Sequence, residues 1–288
     1  GLNKQFGGTQ ALRSVDFTVN RGEIHALLGA NGAGKSTLIK ILAGVYTADS
    51  GEILIGGTPR GGAGDRRLAF VHQDLGLIET MSVGENMAMG YGYPRRWNLI
   101  DWRSVTRTAE AALDFLGSPL PLDRPVAELS RAEKSIVAIA RALTQNVELL
   151  VLDEPTASLP EADVGRLFRI LARLREKDVS VIYVSHRLDE VFRIADAVTV
   201  LRDGRTVVVY RPVAVSPEQL VTDIVGGTPV TRTTARRPVD GKPALKVRDL
   251  HIDQHGPGSF EVGAGEIIGI AGLRGQGQES VGRALAGD

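Results

Sequence analysis

Apolar residues along the chain fall into two recurring patterns. Four nearly continuous apolar runs have the length of strands that are covered on both faces of a sheet: residues 23–28, 68–71, 147–152 and 179–184. Elsewhere apolar residues recur every three or four positions, as they do at Val164, Leu167 and Leu171. Strand and helix patterns alternate through the centre of the chain, and this order predicts an α/β fold built on a parallel sheet.

Two segments depart from this alternation. Residues 75–130 show helical spacing at 81–89 and 105–116, and we interpret them as a helical insert in the α/β domain. Residues 197–210 predict a β-hairpin, because an Asp-Gly pair between two apolar stretches is a strong turn signal. The sheet is therefore expected to be mixed, with an antiparallel part beside the parallel strands.

The pattern also predicts where one domain ends and another begins. A helix signal that starts with a capping box at Ser216 ends at two glycines, which closes a first domain at residues 1–227. Residues 228–243 are polar, contain three prolines and are interpreted as a linker. The pattern of the first domain restarts at Leu245, so residues 244–288 are interpreted as the start of a second domain.

An internal repeat supports this division. At an offset of 243 positions, residues 17–44 align with residues 260–287 without a gap, and 11 of the 28 pairs are identical. The repeat contains two glycine-rich loops of the same spacing. The lysine and serine of the first loop, Lys35 and Ser36, are replaced by Gln278 and Glu279 in the second. The chemistry of the first loop is thus not repeated in the second.

Composition excludes several classes of protein. Lys plus Arg and Asp plus Glu both number 34, so the formal net charge is zero and a nucleic-acid partner is not favoured. The chain has no cysteine, which rules out disulfides and thiolate metal sites. No apolar run approaches the roughly 20 residues that span a bilayer. If the protein acts at a membrane, another subunit is expected to supply the span.

The first glycine-rich loop follows a strand pattern and precedes a helix pattern, with the spacing Gly-x-x-x-x-Gly-Lys-Ser. Small residues let backbone N–H groups converge on phosphate, and the helix N-terminus adds positive potential. Lys35 would then reach the β and γ phosphates of a nucleotide, and Ser36 would hold Mg²⁺. We expect these residues to bind ATP: Gly29, Asn31, Gly32, Gly34, Lys35, Ser36 and Thr37.

An acidic pair follows the strand pattern at residues 147–152. Asp153 is placed to hold Mg²⁺ through water, and Glu154 to orient and polarise an attacking water. Taken alone, the pair also fits the solvated end of an ordinary strand. Because a phosphate-binding loop lies upstream, we interpret the two carboxylates and the loop together as a P-loop ATPase.

Five further segments narrow this interpretation. In chain order they are Phe6 ahead of Ala11-Leu12, Gln73 between a strand and the insert, residues 129–133 at a helix start, residues 154–159, and His186 at a strand end. In this order and spacing, over residues 1 to about 210, the chain resembles the ATP-binding subunits of ABC transporters. The resemblance implies a first ABC ATP-binding domain at residues 1–227 and the start of a second one at 244–288.

The resemblance also implies roles for individual residues. Phe6 is implied to stack on adenine, although an ordinary core phenylalanine is the alternative. Gln73 is implied to sense Mg²⁺ and water and to link the site to the membrane partner. His186 is implied to contact the γ phosphate as a switch histidine. Ser130 belongs to the segment that resembles the family signature Leu-Ser-Gly-Gly-Gln.

The signature departs from the family pattern after its first two residues. Arg131, Ala132 and Glu133 stand where the pattern has Gly-Gly-Gln. Ala132 adds a methyl group where backbone should approach phosphate, and Glu133 adds a carboxylate near a polyanion, which is electrostatically adverse. We therefore expect this segment to keep its role in the fold and to bind phosphate poorly.

In this family ATP is held between the phosphate loop of one domain and the signature of another. Lys35 would need the signature of the second domain, which is expected beyond Asp288, and the weak signature at Ser130 would face the degenerate loop at Gln278. This pairing predicts an asymmetric ATPase in which the second loop does not bind ATP as the first does. We expect residues 1–288 alone to hydrolyse ATP slowly.

The tandem layout and the second loop resemble the ATPases of bacterial ribose, xylose and galactose importers, and related nucleoside importers have a similar layout. The resemblance implies a peripheral subunit on the cytoplasmic face of the plasma membrane. Its partners would be an integral membrane permease and, indirectly, a solute-binding protein. Two alternatives stay open: a soluble ABC-type ATPase of translation or DNA repair, and a regulatory subunit that binds nucleotide with little hydrolysis.

Overall fold

The structure is a computed structural model that describes residues 1–61, 65–145, 147–157, 159–227, 243–252, 255–270 and 277–287. Contacts divide the chain into two compact units, Gly1–Pro229 and Val230–Asp288. The strands of the first unit are β1 (Leu2–Phe6), β2 (Thr9–Val15), β3 (Ile24–Leu28), β4 (Leu54–Ile55), β5 (Thr58–Pro59), β6 (Leu68–Val71), β7 (Arg95–Arg96), β8 (Leu99–Ile100), β9 (Leu149–Asp153), β10 (Ser180–Val184), β11 (Ala197–Arg202) and β12 (Arg205–Tyr210). Its α-helices are α1 (Lys35–Leu42), α2 (Val83–Tyr91), α3 (Trp102–Phe115), α4 (Arg131–Leu143), α5 (Glu161–Glu176), α6 (Leu188–Ile194) and α7 (Pro217–Val225).

Six strands form the main sheet, in the order β12-β11-β3-β10-β9-β6. β3 lies between β10 and β11 and is parallel to both, and β9 and β6 continue the parallel sheet beyond β10. β12 pairs antiparallel with β11 across the turn at Asp203-Gly204. The predicted parallel α/β sheet with an antiparallel part is therefore confirmed, and so is the hairpin.

Side chains from both faces of the sheet are buried, as expected for parallel strands. On one face, α1 packs Leu38 and Ile41 into a cluster that includes Leu27 of β3. On the other face, Leu167 and Leu171 of α5 belong to a larger cluster of buried residues with strands β9 and β10. Each fully buried aliphatic side chain contributes on the order of 1.5–3 kcal/mol. This packing fixes the strand ends that carry the candidate site.

The insert is helical, as predicted, but its boundaries differ from the sequence pattern. Helix α3 begins at Trp102, earlier than predicted, because the Asp101 side chain caps the helix by accepting a hydrogen bond from the Ser104 N–H at 3.2 Å. Between α2 and α3, β7 and β8 form a short antiparallel hairpin. The two-residue strands are too short to give a periodic signal.

The second unit contains β13 (Pro243–Ile252), β14 (His255–Gly263) and α8 (Gln278–Ala286). Helix α8 begins at the counterpart of Lys35, after a left-handed Gly277 with φ 87°, as α1 begins after Gly34 with φ 106°. Ile267, the counterpart of Ile24 in β3, lies outside any strand and is 97% exposed. A central parallel strand needs neighbours on both sides, and the described part of this unit offers only the β13–β14 hairpin. Residues 228–242 of the predicted linker and residues 271–276 of the second loop lie outside the described residues.

Candidate functional site

A cavity of about 550 Å³ opens at the carboxyl ends of strands β3, β9 and β10. Ligands of open α/β sheets bind at this end of the strands. The residues that line it come from β2, the first glycine-rich loop, α1, the end of β9, the end of β10 and the β11–β12 turn. They are Thr9, Gln10, Ala11, Arg13, Asn31, Gly32, Ala33, Gly34, Lys35, Ser36, Thr37, Asp153, Glu154, Val184, Asp203 and Gly204.

At two positions of the glycine-rich loop a side chain would collide with neighbouring strands. At Gly34 φ is 106°, and a Cβ there would lie 2.8 Å from the Ala11 carbonyl oxygen and 2.9 Å from Leu12 Cδ2. At Gly29 a Cβ would lie 2.2 Å from the Leu201 carbonyl oxygen. The loop therefore wraps closely against β2 and β11, which leaves the N-terminus of α1 open to the cavity.

Lys35 is the first residue of α1 and folds back over the loop. Its Nζ donates hydrogen bonds to the carbonyl oxygens of Gly29 at 2.5 Å and Ala30 at 3.0 Å. Burial lowers the pKa of the Lys35 ammonium, and the negative charges of Glu154 and Asp153 oppose that effect. The Lys35 ammonium is half-buried beside these carboxylates and is hydrogen-bonded only to neutral loop carbonyls. It therefore suits a phosphate anion as its partner.

Asp153 and Glu154 carry the acidic side of the cavity. Burial, with a smaller effect from Glu154, raises the pKa of Asp153, while His72 and Lys35 oppose the rise. Glu154 has a left-handed backbone with φ 48°, and its N–H donates to the Val184 carbonyl at 2.9 Å. A non-glycine residue in this conformation is uncommon and costs on the order of 1–3 kcal/mol.

His186 is joined to Glu154. The His186 Nδ1 lies 3.2 Å from Glu154 Oε1, and the imidazole is 67% exposed in the turn after β10. The two residues come from neighbouring parallel strands, which places their side chains at the same edge of the sheet. Glu154 lines the first cavity, whereas His186 is absent from the lining of both cavities and meets the site through Glu154.

Gln73 lies in a second cavity, of about 570 Å³, which is lined by His72, Gln73, Asp74, Arg131 and Asp153. Asp153 lines both cavities and so joins the predicted metal residues Gln73 and Ser36. Arg131 Nη2 donates a hydrogen bond to the Gln73 carbonyl oxygen, which ties the start of α4 to the segment after β6. The sequence contained no signal for this contact.

Ser130 caps helix α4 and lines neither cavity. The Glu133 N–H donates to Ser130 Oγ at 3.2 Å, and the Ser130 N–H donates to Glu133 Oε2 at 2.8 Å, which completes a capping box. The hydrogen bond from the Ser130 N–H is the main reason why the pKa of Glu133 is lowered, and the nearby Arg124 adds to the effect. The Glu133 carboxylate thus occupies the N-terminus of α4, where an external anion would otherwise sit.

Phe6 lies outside the set of residues that line either cavity. Its ring packs edge-on against Tyr46, with ring centroids 5.0 Å apart, and the Lys4 amine lies 5.3 Å from the Phe6 centroid. The side chain is 42% exposed, so part of the ring is free for a further stacking partner. Tyr46 had no motif around it and was not singled out by the sequence.

Arg13, Asp203 and Gly204 line the cavity and were not predicted as site residues. The Asp203-Gly204 pair gave a clear signal, but only for a turn. The structure shows why this turn reaches the site: a Cβ on Gly204 would lie 2.6 Å from the Ala11 carbonyl oxygen, so the turn packs directly on β2. Arg13 had no local pattern to distinguish it from other surface arginines.

The donor atoms fit the ligands that were predicted. Hydroxyl, carboxylate and amide oxygens are the ligands that Mg²⁺ prefers, and Mg²⁺ usually keeps waters and takes oxygens from substrate phosphates. Among the described residues no group of three or more His, Cys, Asp or Glu forms a metal site by itself. An ion held by Ser36 and Asp153 would need phosphate to supply further oxygens. The glycine loop and the Lys35 ammonium have the chemistry to accept such phosphates.

Comparison with known proteins gives a consistent result. A family model described as ABC transporter matches residues 12–157. The ribose import ATP-binding protein RbsA 2 of Rubrobacter xylanophilus is 42% identical over 100% of this chain and 57% of its own length. The ribose import ATP-binding protein RbsA of Lacticaseibacillus paracasei is 40% identical over 99% of this chain and 58% of its own length. This chain therefore spans less than two thirds of the relatives it matches.

A solved structure supports the fold. The cbiO1 protein of Clostridium perfringens, described as part of the ABC transporter complex cbiONQ, aligns with a TM-score of 0.67 and 29% identity. The alignment covers 78% of this chain and 92% of that protein. Within the part of the chain that the structure describes, no helix is long and apolar enough to cross a membrane.

Proposed function

Because this chain belongs to the ABC transporter family, we propose that it binds ATP with Mg²⁺ and hydrolyses the nucleotide to drive import of a small solute through a separate permease. The observation that carries the proposal is the meeting of three groups in front of the sheet. Lys35 comes from the glycine loop and the start of α1, Asp153 and Glu154 from the end of β9, and His186 from the turn after β10.

The residues divide the chemistry between them. The loop N–H groups, the start of α1 and Lys35 would hold the phosphates, and Ser36, Asp153 and Gln73 would hold or sense Mg²⁺. The bound ion would neutralise charge on the phosphates. Glu154 would accept a proton from a water as that water attacks the γ phosphate. His186, 3.2 Å from Glu154, would orient that carboxylate and contact the γ phosphate.

Phe6 is proposed to contact the adenine from the rim of the site. Its partly exposed ring, supported by Tyr46 and Lys4, leaves a face on which a base can stack. This assignment is independent of the phosphate site, because Phe6 lies outside the cavity lining. It is tested by comparing affinities for MgATP and MgGTP in Phe6→Ala.

The solute is proposed to be a monosaccharide. Relatives that cover the whole of this chain carry names of ribose import ATP-binding proteins. A permease in the membrane would contact this subunit at the cytoplasmic face, and a solute-binding protein would meet the permease. Residues 1–227 would be the first ABC domain, with a helical insert at about 75–130, followed by a linker at 228–243 and the start of a second domain at 244–288.

We further propose that the two nucleotide sites of the whole protein are unequal. Lys35 in the first loop would pair with the signature of the second domain. Ser130 would face the second loop, in which Gln278 and Glu279 replace the lysine and serine. Losing a charge-assisted contact and adding a like charge each cost on the order of a few kcal/mol. The capping of α4 by Glu133 supports the same asymmetry.

The proposal is tested with nucleotide binding, hydrolysis and partner capture. Residues 1–288 are expected to bind MgATP. The variant Glu154→Gln is expected to keep this binding, while its rate of single-turnover hydrolysis falls at least 100-fold relative to wild type. Glu176→Gln, an exposed carboxylate at the end of α5, is the matched control. The whole protein is expected to show one tight nucleotide site and to co-purify with a polytopic membrane protein.

Three outcomes would contradict parts of this proposal. Two equally tight sites in the whole protein would remove the asymmetry. Association with ribosomes or DNA that resists nuclease would favour the role in translation or DNA repair. Tight MgATP binding by the whole protein with its permease, but without hydrolysis, would favour a regulatory subunit.

A further inference from the structure

Glu190 is a buried carboxylate beside the candidate site that the proposed chemistry does not use. It lies on α6 and is 0% exposed. A buried carboxylate is costly unless its oxygens are hydrogen-bonded or paired with a cation. Glu190 lines neither of the two cavities, so it does not meet a ligand there. The reason for its burial must lie in the groups that it contacts.

Three hydroxyl groups converge on one oxygen of this carboxylate. Glu190 Oε2 accepts hydrogen bonds from Thr156 Oγ1 at 2.7 Å, from Tyr183 OH at 2.6 Å and from Ser185 Oγ at 3.4 Å. The other oxygen, Oε1, lies 2.8 Å from Arg187 Nη1 in an ion pair whose angles fall outside those of a hydrogen bond. The carboxylate therefore contacts four residues: three hydroxyls donate to Oε2, and Arg187 is paired with Oε1 by charge alone.

These partners stand on both sides of the Glu154–His186 pair. Thr156 is two residues after Glu154 in the turn that follows β9, and the Ala157 N–H of the same turn donates to the Glu154 carbonyl at 3.2 Å. Ser185 comes directly before His186, and Ser185 Oγ accepts from the Arg187 N–H at 3.0 Å. The turn after Glu154 and the turn that presents His186 are thus tied to one carboxylate.

The direction of the hydrogen bonds is fixed by chemistry. An ionised carboxylate accepts only, so each hydroxyl must donate. Burial, together with the bond to Glu190, raises the pKa of the Tyr183 phenol, which keeps that donor protonated throughout the working range of pH. Hydroxyls that converge on one buried carboxylate oxygen restrict the positions of the segments that carry them.

From this geometry we infer that Glu190 is a positioning residue for hydrolysis, which holds Glu154 and His186 at their 3.2 Å separation through Thr156 and Ser185. The inference rests on the proposed function for the roles of Glu154 and His186. It assigns to Glu190 no contact with nucleotide. Small displacements of reacting groups lower rates by roughly 10- to 100-fold. The phosphate loop lies on separate elements, so the affinity for nucleotide should depend little on Glu190.

The test uses single-turnover hydrolysis and MgATP affinity in Thr156→Val and Tyr183→Phe, which each remove one hydroxyl from the network, and in Glu190→Gln. We expect hydrolysis to fall about 10- to 100-fold in Glu190→Gln and by a smaller factor in the hydroxyl variants, with the dissociation constant within about threefold of wild type. Tyr210→Phe is the control, because its hydroxyl donates to Asp223 at 3.0 Å on another part of the sheet.

A double-mutant cycle separates positioning from general loss of structure. If Glu190 acts through the Glu154–His186 pair, Glu190→Gln will lower the rate by a smaller factor on a His186→Ala background than in wild type. Effects that multiply in the double variant, or hydroxyl variants that match Tyr210→Phe in rate, would overturn the inference. Should Glu190→Gln fail to fold, Thr156→Val and Tyr183→Phe decide it.

The magnetic resonance signals of His186 test the inference independently of the proposed function. The imidazole resonances of His186, assigned with His186→Ala, are expected to shift in Thr156→Val and Tyr183→Phe and to stay unchanged in Tyr210→Phe. If wild type neither binds nor hydrolyses MgATP, the proposed function fails, and the resonances still report whether the network positions His186. Unchanged His186 resonances in both hydroxyl variants would overturn the inference even in an active protein.

Discussion

Gly34 offers a sharp test of how the phosphate loop is held. Its φ of 106° is one that side chains rarely adopt, and a Cβ would lie 2.8 Å from the Ala11 carbonyl oxygen and 2.9 Å from Leu12 Cδ2. The left-handed conformation costs about 1–2 kcal/mol for alanine. Forcing β2 away from the loop adds about 1–3 kcal/mol, as for overpacking of a core. We therefore expect Gly34→Ala to lower the free energy of unfolding by about 2–5 kcal/mol.

Gly32→Ala is the matched control for this prediction. Gly32 lies in the same loop with φ 81°, but nothing lies within 4 Å of a Cβ placed there. Its cost is therefore limited to the conformational part, about 1–2 kcal/mol. Urea denaturation without nucleotide measures both variants against wild type, with fluorescence and circular dichroism as independent probes. Equal losses in Gly34→Ala and Gly32→Ala would refute the argument that contact with β2 fixes the loop.

Three further predictions follow from the site. Lys35→Met removes the charge partner of the phosphates, and charge-assisted hydrogen bonds contribute about 1.5–3 kcal/mol each, so MgATP affinity in calorimetry is expected to fall at least 100-fold. His186→Ala is expected to slow single-turnover hydrolysis at least tenfold with binding retained, because its imidazole bonds Glu154. Glu133 has a lowered pKa, so its stabilisation is complete above about pH 4.3 and disappears as the pH falls through the lowered value.

Each of these predictions has its own control. Lys40→Met changes an exposed lysine on the same helix as Lys35 and is expected to bind MgATP normally; equal losses in both would contradict the role of Lys35. Loss of MgATP binding in His186→Ala would show that the imidazole acts in binding. Wild type and Glu133→Gln are expected to converge in stability as the pH falls from 5 to 2. If the difference in stability between wild type and Glu133→Gln stays constant over this pH range, the capping role is contradicted. Glu110→Gln, which changes an exposed carboxylate, is the control.

Short-range patterns were enough to predict the sheet and the chemistry of its edge. The apolar runs match β3, β6, β9 and β10, because strands buried on both faces leave a continuous apolar signal in the sequence. The loop spacing and the acidic pair mark residues whose types are dictated by phosphate and magnesium chemistry. The resemblance to ABC transporters, drawn from the order of these motifs, is confirmed by the family match.

Other features had no local signal. The hairpin β7–β8 has two-residue strands, the contact between Arg131 and Gln73 joins residues 58 positions apart, and Tyr46 supports Phe6 from outside any motif. The repeat predicted a second copy of the first scaffold. The backbone of α8 follows that prediction.

By itself, the sequence determined the fold class, the order of the elements and the residue types that line the cavity at the sheet edge, because periodicity and glycine spacing are properties of the chain. Only the tertiary structure decided which of these residues meet. Parallel packing of β9 and β10 brings Glu154 to 3.2 Å from His186, and Glu190 lies buried beneath them. The capping of α4 by Glu133 was decided by a reciprocal hydrogen bond. Such contacts depend on distances across the folded chain, which no spacing along it encodes.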